Sequence, residues 1–410
     1  MMGFVSTVRV RNAARSNPMI RRRPFRTYEC RREFRGMVRM TGSDLPMEST
    51  PPAVPDEESA IVLEDQRPKW APEWLPNWVI NPNPWLQLAI LLPLYAVHLF
   101  YFSKKGWPLP FKFLAKDKGG HSLGLGNNLE NLTLDSVVGF LVLAGTLIWR
   151  KAMKLEPVVP NLLKSENPPW EVPKGLKVKL LTTIAFLITA FVLSGYGAVF
   201  CEQILCVLSV YGVPLTIPTM RAWKVLLGHL MWVYMGVKIL GQQLKPFFPP
   251  KGKWIGFSVK SNWVWWSIGG YYASSFLFNC ADIVNQLIIP QSLFNEETVV
   301  SKLVNPENND LVAMLIGSLG PCVSAPVFEE ILYRGFLLPT LVCYMPMHFA
   351  IPASSVLFAA HHLNICGVLP LSVLGFAWAI IYTFSRNLLT TILIHAMWNS
   401  RVFLGSLLGL

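Results

Sequence analysis

Pro326–Leu341 reads PVFEEILYRGFLLPTL. Two carboxylates, Glu329 and Glu330, and one guanidinium, Arg334, stand in a run that is otherwise apolar enough to face lipid. A charge at the centre of a membrane helix costs roughly 2.5–3.5 kcal/mol on insertion scales, so such groups are rare and mark function. Glu330 and Arg334 are four residues apart with the acid first, the favoured order for a helical ion pair. Adjacent helix positions diverge by about 100°. Glu329 therefore lies on another face, with no local cation, as a buried carboxylate available to act as a base.

The rest of the chain supports a membrane setting. Of 410 residues, 52% are hydrophobic and only 15% charged, with 15 Trp and 24 Phe. That balance predicts an all-α fold, a polytopic transmembrane bundle with a disordered N-terminal region. With about 20 apolar residues needed per span, the candidates are 85–102, 132–149, 179–200, 222–240, 263–289, 311–343, 348–363, 368–385 and 388–408, about eight or nine in all. Lys224 and Lys238 lie near span ends and can snorkel; Glu202 and Asp282 read as lone acids near span ends.

The formal charge of +12 does not point to nucleic acid, because residues 1–41 alone hold 11 Arg against two acids, Glu29 and Glu33. No basic patch interleaved with aromatics occurs elsewhere. Residues 1–41 lack the long apolar run of a secretory signal and read as an organelle transit peptide. Residues 42–84 pass from an acidic, Pro-rich linker into a Trp-rich segment suited to headgroup depth. Residues 85–258 then hold the first group of helices and 259–410 the second, which the motifs below mark as the core. The glycines of the loop from 103 to 131 lack the order of a phosphate-binding loop.

Two further stretches carry polar groups on apolar helices. VLFAAHHLN contains Phe358 and His362 four residues apart, with His361 turned elsewhere; LLTTILIHAMWNSR pairs His395 with Asn399 at the same spacing. His362 follows Glu329 by 33 residues and His395 follows His362 by 33, enough for one helix to end and the next to return to similar depth. Three helices can thus bring a carboxylate, two imidazoles and an amide into one cavity. That inventory suits activation of water and stabilisation of an oxyanion. Two His and one Glu also suit zinc, although no H-E-x-x-H occurs.

EEILYR at 329–334, FAAHH at 358–362 and HAMWN at 395–399 together resemble the CPBP family of CAAX prenyl proteases, bacteriocin-processing proteins and self-immunity relatives. The resemblance covers about 260–408. It implies a metal-independent glutamate-type intramembrane endopeptidase without a cofactor. By position, Glu329 and His362 would activate water. His395 and Asn399 would form the oxyanion hole, with Glu330, Arg334 and Phe358 in support; His361 falls outside the pattern. The implied substrate is a peptide or membrane protein. With its transit-like arm and acidic linker, the chain resembles plant plastid members. That implies a thylakoid or inner-envelope location, with the mitochondrial inner membrane second, and partners among plastid membrane proteins. The alternative is a non-proteolytic scaffold that binds and stabilises other membrane proteins.

Overall fold

The computed structural model describes residues 70–102, 134–157, 159, 175–244, 255–294 and 298–408. The transit peptide expected over 1–41, the acidic linker up to residue 69 and the 103–131 loop lie outside them. The described residues belong to one compact unit spanning Arg67–Leu410, and they are helical, without a strand among them.

The described residues of the unit form nine long helices: α1, Pro84–Val97; α2, Leu134–Ala152; α3, Lys177–Val210; α4, Ile217–Gln243; α5, Trp263–Ile288; α6, Leu311–Val342; α7, Met347–His361; α8, Val368–Ser385; α9, Leu388–Leu408. Among the described residues, five stretches are long and apolar enough to cross a membrane: Pro84–Tyr101, Lys177–Val210, Ile217–Gln243, Leu311–Val342 and Ile365–Ser385. The other four expected spans do form helices. With 15 residues, α7 rises only about 22 Å, short of the ~30 Å hydrocarbon core. The helices α2, α5 and α9 are diluted by polar residues that the bundle uses internally, such as Asp135, Ser275 and Arg401.

Local chemistry sets the helix ends. Thr216 caps α4 by accepting from the Thr219 N–H, with Pro218 in the first turn. Asp310 caps α6 through the Ala313 N–H, and the Thr216 and Thr219 hydroxyls donate to it, joining the starts of α4 and α6. Between α8 and α9, Arg386 is left-handed, at φ 52°. Asn387 there accepts from the Ser258 N–H and donates to the Ser258 carbonyl, fixing where α9 begins.

Of the isolated charges, Glu202 is not alone: its Oε2 pairs with Lys224 Nζ at 2.6 Å across the α3–α4 hairpin. Asp282 accepts from Gln286 one turn on. In the expected interfacial segment, Trp74, Trp78 and Trp85 are exposed, as headgroup anchors are.

The core runs across both halves of the chain. Trp232 and Leu240 of α4, Tyr271 of α5, Phe328 and Phe336 of α6, Phe358 of α7, Trp378 of α8 and Trp398 of α9 share one cluster. A Cβ on Gly236 would sit 2.2 Å from the Phe328 ring. Only glycine lets α4 come this close to the turn of α6 that carries Glu329.

Candidate active site

The helix α6 is not a uniform rod. Its α-helical piece Ala325–Glu330 lies between two π turns, Gly320–Ser324 and Ile331–Leu337. Such widenings occur often at functional sites. A physical cause is visible in the first. The Ala325 N–H bonds to the Gly320 carbonyl, five residues back. The Pro321 carbonyl then has no helical donor ahead of it, because Ala325 is engaged and Pro326 has no N–H. Asn399 of α9 supplies the missing donor: its Nδ2 lies 2.8 Å from the Pro321 oxygen. The bond locks α9 against the turn that precedes Glu329.

Glu330 is fully buried. Its Oε1 accepts from Arg334 Nη1 at 2.8 Å and from His395 Nδ1 at 3.1 Å. The ion pair read from the four-residue spacing is present, and it also holds His395. Arg334 is 1% exposed. Its Nη2 donates to the Gly375 carbonyl of α8, and its guanidinium lies over the rings of Phe358 and Trp378 at 4.7 and 5.3 Å. The supporting place given to Phe358 thus takes a physical form, a π face under a buried cation.

Glu329 has no hydrogen-bond partner on its Oε2. The nearest imidazole nitrogen across a gap is His362 Nε2, at 4.0 Å. His362 stands just beyond the last residue of α7, and its Nδ1–H donates to the Phe358 carbonyl at 2.8 Å. In the neutral ring Nε2 is then an acceptor. An ionised Glu329 is also an acceptor, so the two cannot bond directly. Water donating one hydrogen to each fits between them. The His362 side chain is 30% exposed against 9% for Glu329, so the site opens past His362.

Every sequence-predicted residue therefore lies on α6, the end of α7 or α9, in two linked sets: Glu329 with His362, and Glu330 with Arg334 and His395. Asn399 is joined to the sets through the backbone of α6. With Nδ1 engaged by Glu330, His395 can donate from Nε2 as well only when both ring nitrogens carry protons. Among the described residues no three His, Cys, Asp or Glu converge as a metal-binding group.

Sequence reasoning missed His229, Trp232, Tyr333 and Trp378. The Trp378 ring lies 4.7 Å from the His395 ring, tilted by 41°, and its Nε1 donates to Ser274 of α5. Tyr333 meets Phe358 edge-on at 5.2 Å. His229 lies 6.1 Å and His361 4.6 Å from the Trp232 ring, centroid to centroid. His229 lies on α4, about 100 residues before Glu329, where no local spacing links the two.

Residues 311–401 match the family model described as Type II CAAX prenyl endopeptidase Rce1-like. The match begins at the first residue of α6 and includes all of Glu329, Glu330, Arg334, Phe358, His362, His395 and Asn399. No curated protein and no solved structure matches the chain.

Proposed function

We propose that the chain uses its Rce1-like segment as an intramembrane endopeptidase, with Glu329 and His362 activating water for attack on a peptide carbonyl. The observation that carries this reading is the 4.0 Å gap between two acceptors, Glu329 Oε2 and His362 Nε2. Water that donates to both presents its lone pairs outward. As it attacks, Glu329 takes a proton and can later return it to the leaving amine. The carbonyl oxygen becomes an oxyanion. His395 as imidazolium can donate to it through Nε2, and the second N–H of the Asn399 amide can join. Loss of one such donor typically costs about 10²–10³ in rate. Glu330 and Arg334 hold His395 in place and take no proton.

The substrate in this reading is a peptide or membrane protein that reaches the site past His362. The location we propose is a plastid membrane, thylakoid or inner envelope, supported by the Arg-rich N-terminal arm and the acidic linker after it; the mitochondrial inner membrane is the second choice.

The scaffold reading draws on one observation: the Asn399 amide already donates to the Pro321 carbonyl. One experiment separates the two readings. Cells lacking the protein are complemented with Glu329→Gln beside wild type, at abundance matched by immunoblot. Gln keeps the volume and removes the base. Hydrolysis predicts no rescue, whereas full rescue would sink the protease reading and leave binding.

A further inference from the structure

Five buried polar atoms around Glu329 have no partner: Glu330 Oε2, in the set with Arg334 and His395, and four more, Trp232 Nε1, His229 Nε2, His361 Nδ1 and Glu329 Oε2. Trp232 is 4% exposed and Glu329 7%. Buried polar atoms in folded proteins are nearly always hydrogen-bonded, to protein or to ordered water. Four orphans in separate places would be four unrelated faults; these four fall together.

The rings establish the proximity. His361 lies 4.6 Å from Trp232, centroid to centroid, and His229 lies 6.1 Å from it. Trp232 meets Phe328, the neighbour of Glu329, edge-on at 4.7 Å. His361 lies 5.8 Å from His362, centroid to centroid, and His362 Nε2 is 4.0 Å from Glu329 Oε2. Gly236 permits the approach, being one turn beyond Trp232 and under the Phe328 ring.

Their chemistry is complementary to water rather than to one another. The Trp N–H can only donate, an ionised carboxylate can only accept, and an imidazole nitrogen does either according to tautomer. Bound water can accept from Trp232 and one imidazole while donating to Glu329 and the other. A buried water typically makes about three such bonds.

We propose that His229, Trp232 and His361 form a polar shelf that holds bound water against the free oxygen of Glu329. They act as positioning residues for that carboxylate. The site thereby extends beyond the Rce1-like segment to α4, and His361, outside the family pattern, gains a role. The proposal deepens the protease reading but concerns hydration of the site, which exists whether or not the chain cleaves peptides.

The test uses the full chain in liposomes, with its histidines labelled with ¹⁵N. Solid-state NMR is expected to show water cross-peaks to ring nitrogens of His229 and His361, assigned through His229→Phe and His361→Phe. Trp232→Phe replaces the indole with a smaller aromatic ring and removes the donor, so it should weaken both cross-peaks. Absence of the cross-peaks in the wild type, or cross-peaks of undiminished intensity in Trp232→Phe, overturns the proposal. The readout does not use turnover. Rescue by Glu329→Gln would therefore remove the protease reading and leave the shelf standing, and missing cross-peaks would remove the shelf alone.

Discussion

Glu330 has no exposed surface, and one of its oxygens serves two cations or donors at once, Arg334 and His395. Arg334 is as deeply placed, between that carboxylate, the Gly375 carbonyl and two aromatic faces. A buried pair of this kind contributes little net stability over an apolar pair, but breaking it strands a charge. Arg334→Met should therefore cost about 3–5 kcal/mol, read as a lowered Tm in detergent. Adding Glu330→Leu should recover most of that stability while leaving His395 unanchored. A double variant no more stable than the single one would show that Glu330 is not stranded. At this scale half the site was legible. The four-residue spacing announced Glu330 with Arg334, because both partners sit on one helix face. Gly375 and Trp378 were not legible, since they reach Arg334 from another helix, and nothing in their own neighbourhood marks them. The bond from His395 to Glu330 was hidden for the same reason: the two are 65 residues apart.

The decisive element is α6, and what distinguishes it is where its hydrogen-bond ladder is broken. Pro321, Pro326 and Pro339 are plain in the sequence, and each removes a donor. The chain alone does not say which carbonyl is freed. That depends on the Ala325 N–H choosing Gly320 over Pro321, a choice made with the π turn. Once made, it leaves the Pro321 carbonyl to Asn399. Asn399 thus has a structural duty besides any role with substrate. Asn399→Leu should lower stability by about 1–3 kcal/mol, the cost of one unsatisfied buried acceptor. The loss should be the same in a Glu329→Gln background, which lacks the proposed base. Denaturation of the two Asn399→Leu proteins measures this, and equal stability of Asn399→Leu and its parent would refute the bond. Helix positions were legible because apolar runs and caps are local signals. Membrane crossing was less so: α5 and α9 spend polar residues on one another and on α2, which lowers their hydropathy without removing them from the bundle.

At the scale of the molecule, α9 ties the site to the helices that precede it. One face carries His395 and Asn399 toward α6. The other meets α1 and α2: the Tyr95 hydroxyl donates to the Met397 carbonyl at 3.0 Å and lies 2.6 Å from the Ser400 hydroxyl. Arg401 pairs with Asp135 at 3.3 Å while stacked 3.7 Å from the Trp398 ring. Asp135 is 1% exposed and also accepts from Ser275. Remove α2 and the half-buried Arg401 guanidinium loses its carboxylate; remove α4 and Phe328 loses its glycine seat at Gly236. A chain consisting of 259–410 alone would hold every residue of the family motif and yet lack both supports. We expect it to elute from gel filtration in detergent as aggregate and to show no cooperative thermal transition. A chain spanning 67–410, the whole compact unit, should elute as a single species with a transition matching the full protein. A folded 259–410 fragment would mean that α5 to α9 hold their geometry unaided, and that α1 to α4 serve another purpose than building the site.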